Sequence, residues 1–394
     1  MLTVAEALAR ILALMAPVGV ETVPLAEAGG RVMAAPAAAR RDQPPFDTTA
    51  MDGYALRAED AAEGAALRVV GESQAGRRFE GVMKPGEAVR IFTGAPLPPG
   101  ADAILIQENA AREGDAVRVL QPPRAGEFVR PLGLDFRAGE ELFPRRRLRA
   151  GDVALLAAMN VTQVSVRKRA RIALIPTGDE LVNPGETPGP DQIVSSNNFG
   201  LAAMLRGFGA DPVLAPIARD TRASLDAALD AARGADLIVT LGGASVGDHD
   251  LVRDALGDEQ LDFYKVAMRP GKPLMAGRVR GAPMIGLPGN PVSALVCGHV
   301  FLRPALDALL GLQAGPLPRS RARLVHDLDP GGPREHYMRA TLSPGEDAPR
   351  VVPFDAQDSS MLSRLSAADC LMVQPPHAPA MRAGTMIDVI ALDA

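Results

Sequence analysis

Residues 169 to 317 leave this chain little choice of fold. "RIALIPTG" is a strand of the buried kind that ends in a glycine turn, and "SSNNFGLAAMLRGFG" follows as a helix with Ser or Asn at its start and Gly beyond its end. "DPVLAPIA", "TRASLDAALDAARG" and "ADLIVTLGG" continue the alternation as strand, helix and strand. Strands joined through helices are parallel, and their helices cover the faces of the sheet. "LDFYKVAM", "PLMAGRV" and "APMIGLP" add three more strands. "NPVSALVCGHVFLRPALDALLGL" then reads as a long helix, with Asn290 as N-cap and Pro291 at its first position. The expectation is a doubly wound, mostly parallel sheet over 169–317. Ligands of such sheets bind beyond the carboxyl ends of the strands, where the loops gather.

The flanking regions follow other rhythms. Residues 1–45 read as helical, opening on the capping box "TVAE" with Thr3 as N-cap and Glu6 reaching back. From 46 to 137, short apolar runs are divided by Gly and Pro, as in "ALRVVGES" and "AVRIFTGAPLPPGADAILIQEN", the pattern of a β-rich module with long loops. Residues 138–168 return to a helix followed by a strand in "GDVALLAAMNVTQVSV". The expected organisation is therefore a multidomain α/β chain. An elongated N-terminal domain comes from 1–45 and 138–168, a β-rich domain over 46–137 is inserted into it, and the wound domain spans 169–317. The strand-like segments of 318–394, among them "HYMRATL" and "CLMVQPP", predict a small β-barrel or sandwich.

Composition enters by exclusion. A net charge of −5 with no basic tail argues against a nucleic-acid partner. No uninterrupted apolar stretch approaches the ~20 residues that span a bilayer, so no membrane is expected. Cys297 and Cys370 lie far apart in apolar segments, which suggests reduced thiols and a cytoplasmic protein rather than a disulfide or a zinc site. Lysine is scarce. Only Lys84, Lys168, Lys265 and Lys272 occur, and the last two are close in sequence.

The chemistry gathers in the loops that leave the wound sheet. "PTGDEL" puts Glu180 past the first strand, and "ARDT" puts Asp220 past the second. "LGGASVGDHD" leaves the third with Gly242, Gly243, Ser245, Gly247, Asp248 and Asp250. "YKVAMRPGKP" supplies Lys265, Arg269 and Lys272, and "GLPGNPVSA" supplies Gly289, Asn290 and Ser293 at a helix start. Glycine-rich backbone, a helix N-terminus and cations favour an anion such as phosphate. Several carboxylates would repel that anion unless a divalent cation lies between them, and Mg²⁺ binds through a few carboxylates together with substrate phosphate oxygens. Metal-assisted chemistry on a phosphorylated ligand is the reading, with Lys and Arg stabilising developing charge. Each piece has a bland alternative: an Asp in a glycine loop is commonly a turn residue, His249 has no second histidine at metal spacing, and Cys297 is most simply packed in its helix. Their convergence at the strand ends of one sheet favours the functional reading.

In order along the chain, "AMDGYALR", "RIFTGAPLPPGADAILIQE", "PTGDELV", "LGGASVGDHD", "VAMRPGKP" and "GLPGNPVSA" carry a family resemblance. The chain resembles molybdopterin molybdotransferases, the molybdenum insertases related to the E domain of gephyrin, over nearly its whole length. The resemblance implies insertion of molybdenum from molybdate into adenylylated molybdopterin, with Mg²⁺-assisted release of AMP. It also implies a homodimer of four-domain subunits, whose crevice lies between the wound domain of one copy and the β-rich domain of the other. On that basis Asp52 and Thr93 face the crevice of the partner copy, with Met51 and Tyr54 packing the Asp-Gly turn into a fixed pose. Glu180, Asp220 and Asp250 are implied as functional acids and Mg²⁺ ligands, and Lys265 and Lys272 as functional lysines. Ser245 and Ser293 are implied as substrate contacts. Arg269 stands where many members have lysine, and Arg339 matches the family's arginine in the C-terminal domain. Arg364 stands where a serine is common, which puts an oxyanion contact from that loop in question. Two alternatives remain: the adenylyltransferase that makes the adenylylated pterin, and a gephyrin-like scaffold without catalysis. Further partners implied are that adenylyltransferase and proteins that mature molybdoenzymes.

Overall fold

The structure is a computed structural model that describes residues 1–242 and 261–392, with backbone alone for 261–264. It divides into two units, Met1–Glu21 with Arg167–Ala394, and Thr22–Val166.

In the first unit the alternation read from the sequence becomes strand β1 (Arg171–Pro176), helix α1 (Asn197–Gly207), β2 (Asp211–Leu214), α2 (Arg222–Ala231) and β3 (Leu237–Leu241). Strands β4 (Leu261–Lys265), β5 (Pro273–Val279) and β6 (Ala282–Leu287) follow. Among the described residues the sheet order is β2-β1-β3-β6-β5-β4. β1, β2, β3 and β6 are parallel, while β5 runs antiparallel to both of its neighbours. Two reversals bring the carboxyl end of β4 to the same edge as those of β1, β3 and β6. The buried runs are hydrophobic throughout, as strands covered on both faces must be: Ile172, Leu174 and Ile175 in β1, Leu237 and Val239 in β3, and Ile285 and Leu287 in β6 are at most 1% exposed. One face packs Ala173, Ile175, Ile238 and Met275 against Leu225 and Leu229 of α2.

The helix after β6 runs from Pro291 to Cys297, passes through a π-turn at Gly298–Leu302 and resumes at Arg303–Leu309. Asn290 holds the N-cap position with Pro291 first, but its side chain makes no capping bond. The span Pro291–Leu309 is long and apolar enough to cross a membrane by composition, yet 78% of it is buried inside the fold, as suits a core helix. Cys297 lies there fully buried, and burial pushes its thiol well above the usual range. The rest of the unit is a barrel. Its strands Ser320–Leu324, Glu335–Ser343, Arg350–Pro353, Cys370–Gln374 and Met386–Ala391 close on themselves through the pairing of Glu335–Ser343 with Cys370–Gln374. Closure settles the barrel-or-sandwich alternative and leaves none of those five ladders open. Helix Val4–Leu14 also belongs here, lying against β5 and Arg303–Leu309. Its capping box forms as read, Thr3 N–H donating to Glu6 Oε2 at 2.8 Å and Glu6 N–H to Thr3 Oγ1 at 3.2 Å.

The helical reading of residues 1–45 is corrected beyond Leu14. Val20–Pro24 is a strand, Leu25–Glu27 a single 3₁₀ turn and Ala37–Ala38 a short strand. Pro17, Pro24 and Pro36 break the helix, and the β-branched Val20, Thr22 and Val23 favour extended chain. In the second unit, Ala37–Ala38 pairs with Glu141–Leu142, and Val23, Ala28 and Met33 share one core with Leu148, Leu156 and Val164. Between these stretches lies a β-rich module whose sheet joins, in order, Ala103–Ile106, Gly53–Leu56, Glu87–Ile91, Ala66–Ser73, Ala116–Val119 and Ala110–Glu113.

Candidate active site

A cleft of about 540 Å³ opens at the carboxyl edge of the wound sheet. It lies where the topology requires one. From β1 the chain goes outward to β2, then crosses back to β3 on the other side, so the loops after β1 and β3 diverge and leave a crevice between them. Pro176 and Thr177 leave β1 into that crevice, and Leu241 and Gly242 leave β3 into it. Thr177 ties the two ends together, its N–H donating to Leu241 O at 3.0 Å. Gly242 has φ +100°, and a Cβ there would lie 2.8 Å from Thr177 O, so only glycine fits. The same absent Cβ at Gly289 would sit 3.6 Å from the Gly242 Cα, so two bare backbone segments line up on the cleft wall.

Helix α1 starts at this cleft, as does the helix beginning at Pro291. Asn197 bridges the two starts, its Nδ2 donating to Gly289 O at 2.6 Å. Converging helix N-termini present free N–H groups and a positive dipole end to whatever occupies the space between them. Ile193 and Val194 add an exposed apolar wall, 60% and 43% accessible.

The acids sit on neighbouring loops. Glu180 lines the cleft with its carboxylate folded back over Gly178, in the volume that a Cβ on Gly178 would need. Asp220 does not line the cleft. Its Oδ2 accepts the Asp179 N–H at 3.4 Å, and Asp179 Oδ1 accepts the Asp220 N–H at 3.0 Å. Gly243, Ser245, Gly247 and Asp250 lie outside the described residues, as do Asp248 and His249. Among the described residues no three His, Cys, Asp or Glu side chains gather around a point that could hold a metal. Mg²⁺ does not require such a cage, since it keeps waters and relies on one or two carboxylates plus substrate phosphates. Exposed carboxylates on two adjoining loops fit that donor set.

The cations belong to one closed loop. Lys265 ends β4 opposite Pro273 of β5, and Val266 N–H donates to Lys272 O at 3.1 Å, which brings the two lysine positions side by side. Lys265, Arg269 and Lys272 are all exposed. Met268–Arg269 between them forms a short strand parallel to Glu335–His336 of the barrel, so the cationic loop is fastened to the C-terminal domain as well. His336 beside it stays neutral. Burial, followed by the charges of Arg269, Arg339 and Arg334, pushes it down to about 4.

Two expected contacts lie elsewhere. Ser293 is buried in its helix and is not part of the cleft wall. Arg339 is 1% exposed, and each of its three side-chain nitrogens donates to the loop that follows in the barrel: Nε to Gln357 Oε1 at 3.1 Å, Nη1 to Asp358 O at 2.7 Å and Nη2 to Ala356 O at 3.4 Å. That loop in turn docks on the wound domain. Ser359 Oγ accepts from Asn290 Nδ2 at 3.1 Å, Ser359 O accepts from Val292 N–H, and Ser360 reaches the cleft wall. Arg364 is exposed, with its guanidinium 5.6 Å from the Phe354 ring centroid. Sequence reasoning missed Thr177, Ser195, Asn197 and Ser360 as lining residues. Only "SSNN" carried a signal, a polar run at a helix start past a strand, and it was read as a cap.

In the second unit, Asp52 is held by one residue. Its Oδ1 accepts both the Thr93 N–H and the Thr93 hydroxyl, each at 2.7 Å. These bonds, the hydroxyl's first, keep its carboxyl below the usual carboxylate range. Gly53 is required because a Cβ would collide with Leu105 O of the neighbouring strand. Tyr54 is buried as expected, but Met51 points outward at 38% exposure. The turn is fixed instead by Thr49, whose hydroxyl donates to Met51 O and accepts from Met51 N–H. Arg90 also contributes, spanning Gly53 O and Gln107 Oε1 with its guanidinium over the Tyr54 and Phe92 rings.

Comparison with known proteins agrees across the chain. Residues 2–160 match the MoeA N-terminal region (domain I and II), 173–308 a probable molybdopterin binding domain, and 321–392 the MoeA C-terminal region (domain IV). A molybdopterin molybdenumtransferase from a Nostoc species is 39% identical over 82% of this chain and 77% of its own. Molybdopterin molybdenumtransferase 2 of Mycobacterium tuberculosis is 38% identical over 93% and 94%. The crystal structure of the molybdopterin biosynthesis MoeA protein of Pyrococcus horikoshii superposes with a TM-score of 0.85 at 28% identity, covering 99% of both chains.

Proposed function

The chain belongs to the molybdopterin molybdenumtransferase (MoeA) family of molybdenum cofactor biosynthesis, and from that premise we propose that it takes adenylylated molybdopterin and molybdate and releases AMP with Mg²⁺ assistance. The cleft at the β1/β3 switch point carries this reading. Its paired helix starts and bare glycine backbone suit phosphate oxygens, and its apolar Ile193–Val194 wall suits an organic ring.

In this reading Glu180 and Asp220, with Asp250, hold Mg²⁺, which when bound polarises the phosphoanhydride. Lys265, Lys272 and Arg269 hold molybdate as neighbouring cations on one loop, the guanidinium at 269 replacing an ammonium without loss of charge. Gly242, Gly289 and Asn290 position the nucleotide end, together with Gly243, Ser245 and Gly247. Arg339 acts through the Ser359–Ser360 loop that its guanidinium anchors. The active site is shared in a cytoplasmic homodimer, with Asp52 and Thr93 of one copy completing the cleft of the other. Loss of oxo groups from molybdate needs proton delivery, a task for an acid or ammonium at this edge.

The test is direct. Purified protein mixed with adenylylated molybdopterin, molybdate and Mg²⁺ releases AMP, and omitting either molybdate or Mg²⁺ suppresses it. Adenylylation of unmodified molybdopterin by ATP would instead assign the adenylyltransferase reaction. Absence of both activities would leave the scaffold reading.

A further inference from the structure

The loop that carries Glu180 is gathered onto a single nitrogen. Arg219 Nη1 donates to Leu181 O at 2.8 Å, Asp179 O at 3.1 Å and Gly178 O at 3.4 Å. Those carbonyls flank Glu180 on both sides, so the path of the backbone through residue 180 is set by where that guanidinium sits. Arg219 is itself fixed at its own backbone, its N–H donating to Ser224 Oγ at 2.8 Å near the start of α2. The next residue is Asp220, and the reciprocal Asp179–Asp220 bonds close the other side of the same contact.

We propose that Arg219 is a positioning residue that locks the Glu180 loop to the Asp220 loop, so that the two acids move and bind as one unit. The proposal rests on the reading of Glu180 and Asp220 as acids of this site. Free carbonyls would bond equally well to water, so a cation that collects three of them from one loop is a device for shape. Because Arg219 also sits immediately before Asp220, displacing it disturbs both acids without removing either carboxylate.

The experiment compares Arg219→Gln, Arg219→Lys and Ser224→Ala in the full-length protein. Arg219→Gln is expected to raise the half-saturating Mg²⁺ concentration for AMP release about tenfold, with the KM for molybdate unchanged. Amide hydrogen exchange at residues 178–182 should accelerate by about the same factor, with the rest of the wound sheet unaffected. Arg219→Lys keeps a donor cation and should recover most of the loss, and Ser224→Ala should shift both readings about threefold in the same direction. Combined with Glu180→Gln, Arg219→Gln should add little, because the acid it positions is already gone. An Arg219→Gln protein with unchanged Mg²⁺ dependence, a Lys variant as impaired as the Gln variant, or accelerated exchange throughout the unit would each overturn the proposal. Should the unsubstituted protein release no AMP, the functional reading fails, while the exchange pattern at 178–182 still decides the role of Arg219.

Discussion

Asp52 accepts two bonds of 2.7 Å from Thr93, whereas Asp220 accepts, among the described residues, a single bond of 3.4 Å from the Asp179 N–H. The first carboxylate is fixed before any ligand arrives, on a turn braced by Thr49 and Arg90. Among the described residues the second has most of its lone pairs unclaimed. The same contrast separates the arginines. Arg339 is buried with every guanidinium nitrogen bonded within its own domain, while Arg269 stands exposed on the cationic loop. Groups that shape a site are saturated by the protein, and groups left under-saturated at a loop edge are the ones available to substrate.

The largest expected effect tests whether the braced corner and the open edge belong to one site. Asp52→Ala and Glu180→Ala should each lower AMP release about 10²–10³-fold. If the proposed shared-site homodimer holds, subunit exchange between the two variants makes half the dimers mixed, each with one intact site of two. About a quarter of the unsubstituted activity should therefore return. A mixture as inactive as its parents would break the link between the two regions.

Stability distinguishes the arginines. Arg339→Met removes the three bonds by which a buried guanidinium holds the 356–358 loop and should cost about 2 kcal/mol in urea unfolding. Arg269→Met should change stability by no more than about 0.5 kcal/mol while impairing the use of molybdate. Equal destabilisation would erase the distinction.

A smaller effect concerns pH. Thr93 holds the Asp52 carboxyl below its ordinary value, so Thr93→Val should let that value rise and carry the acidic limb of the pH–activity profile to higher pH. Activity at neutral pH should fall about tenfold as the carboxylate loses its fixed pose. An unmoved acidic limb would mean that Asp52 does not set it. The smallest effect is Met51→Ala, which should alter stability by less than about 0.5 kcal/mol because Met51 faces outward.

The wound sheet was legible because its signal is redundant: hydrophobic runs, helix caps and glycine stops agree over some ten elements, and the placement of Glu180 and Gly242 at strand ends follows from topology alone. Residues 15–45 misled because Ala, Leu and Met suggest helix wherever they are dense, and Pro17, Pro24 and Pro36 with the β-branched Val20, Thr22 and Val23 argued otherwise. Arg339, Gln357 and Ser360 could not be read as a chain of contacts from sequence. Their relation depends on a loop of the barrel reaching the start of another domain's helix, a long-range contact with no local pattern. For Met51 the reason is different: the resemblance implies a packed turn, but the brace is the Thr49 hydroxyl bonding the Met51 backbone, which leaves the Met51 side chain facing outward.

The two-residue strand Met268–Arg269, hydrogen-bonded alongside Glu335–His336, has an implication for engineering. A hybrid that exchanges the terminal domain at the seam near residue 318 would separate this splice from its mate and leave the basic segment moored on one side only. Chimeras of such enzymes should transplant 265–272 together with the barrel, or expect a protein that folds yet leaves this basic segment loosely held.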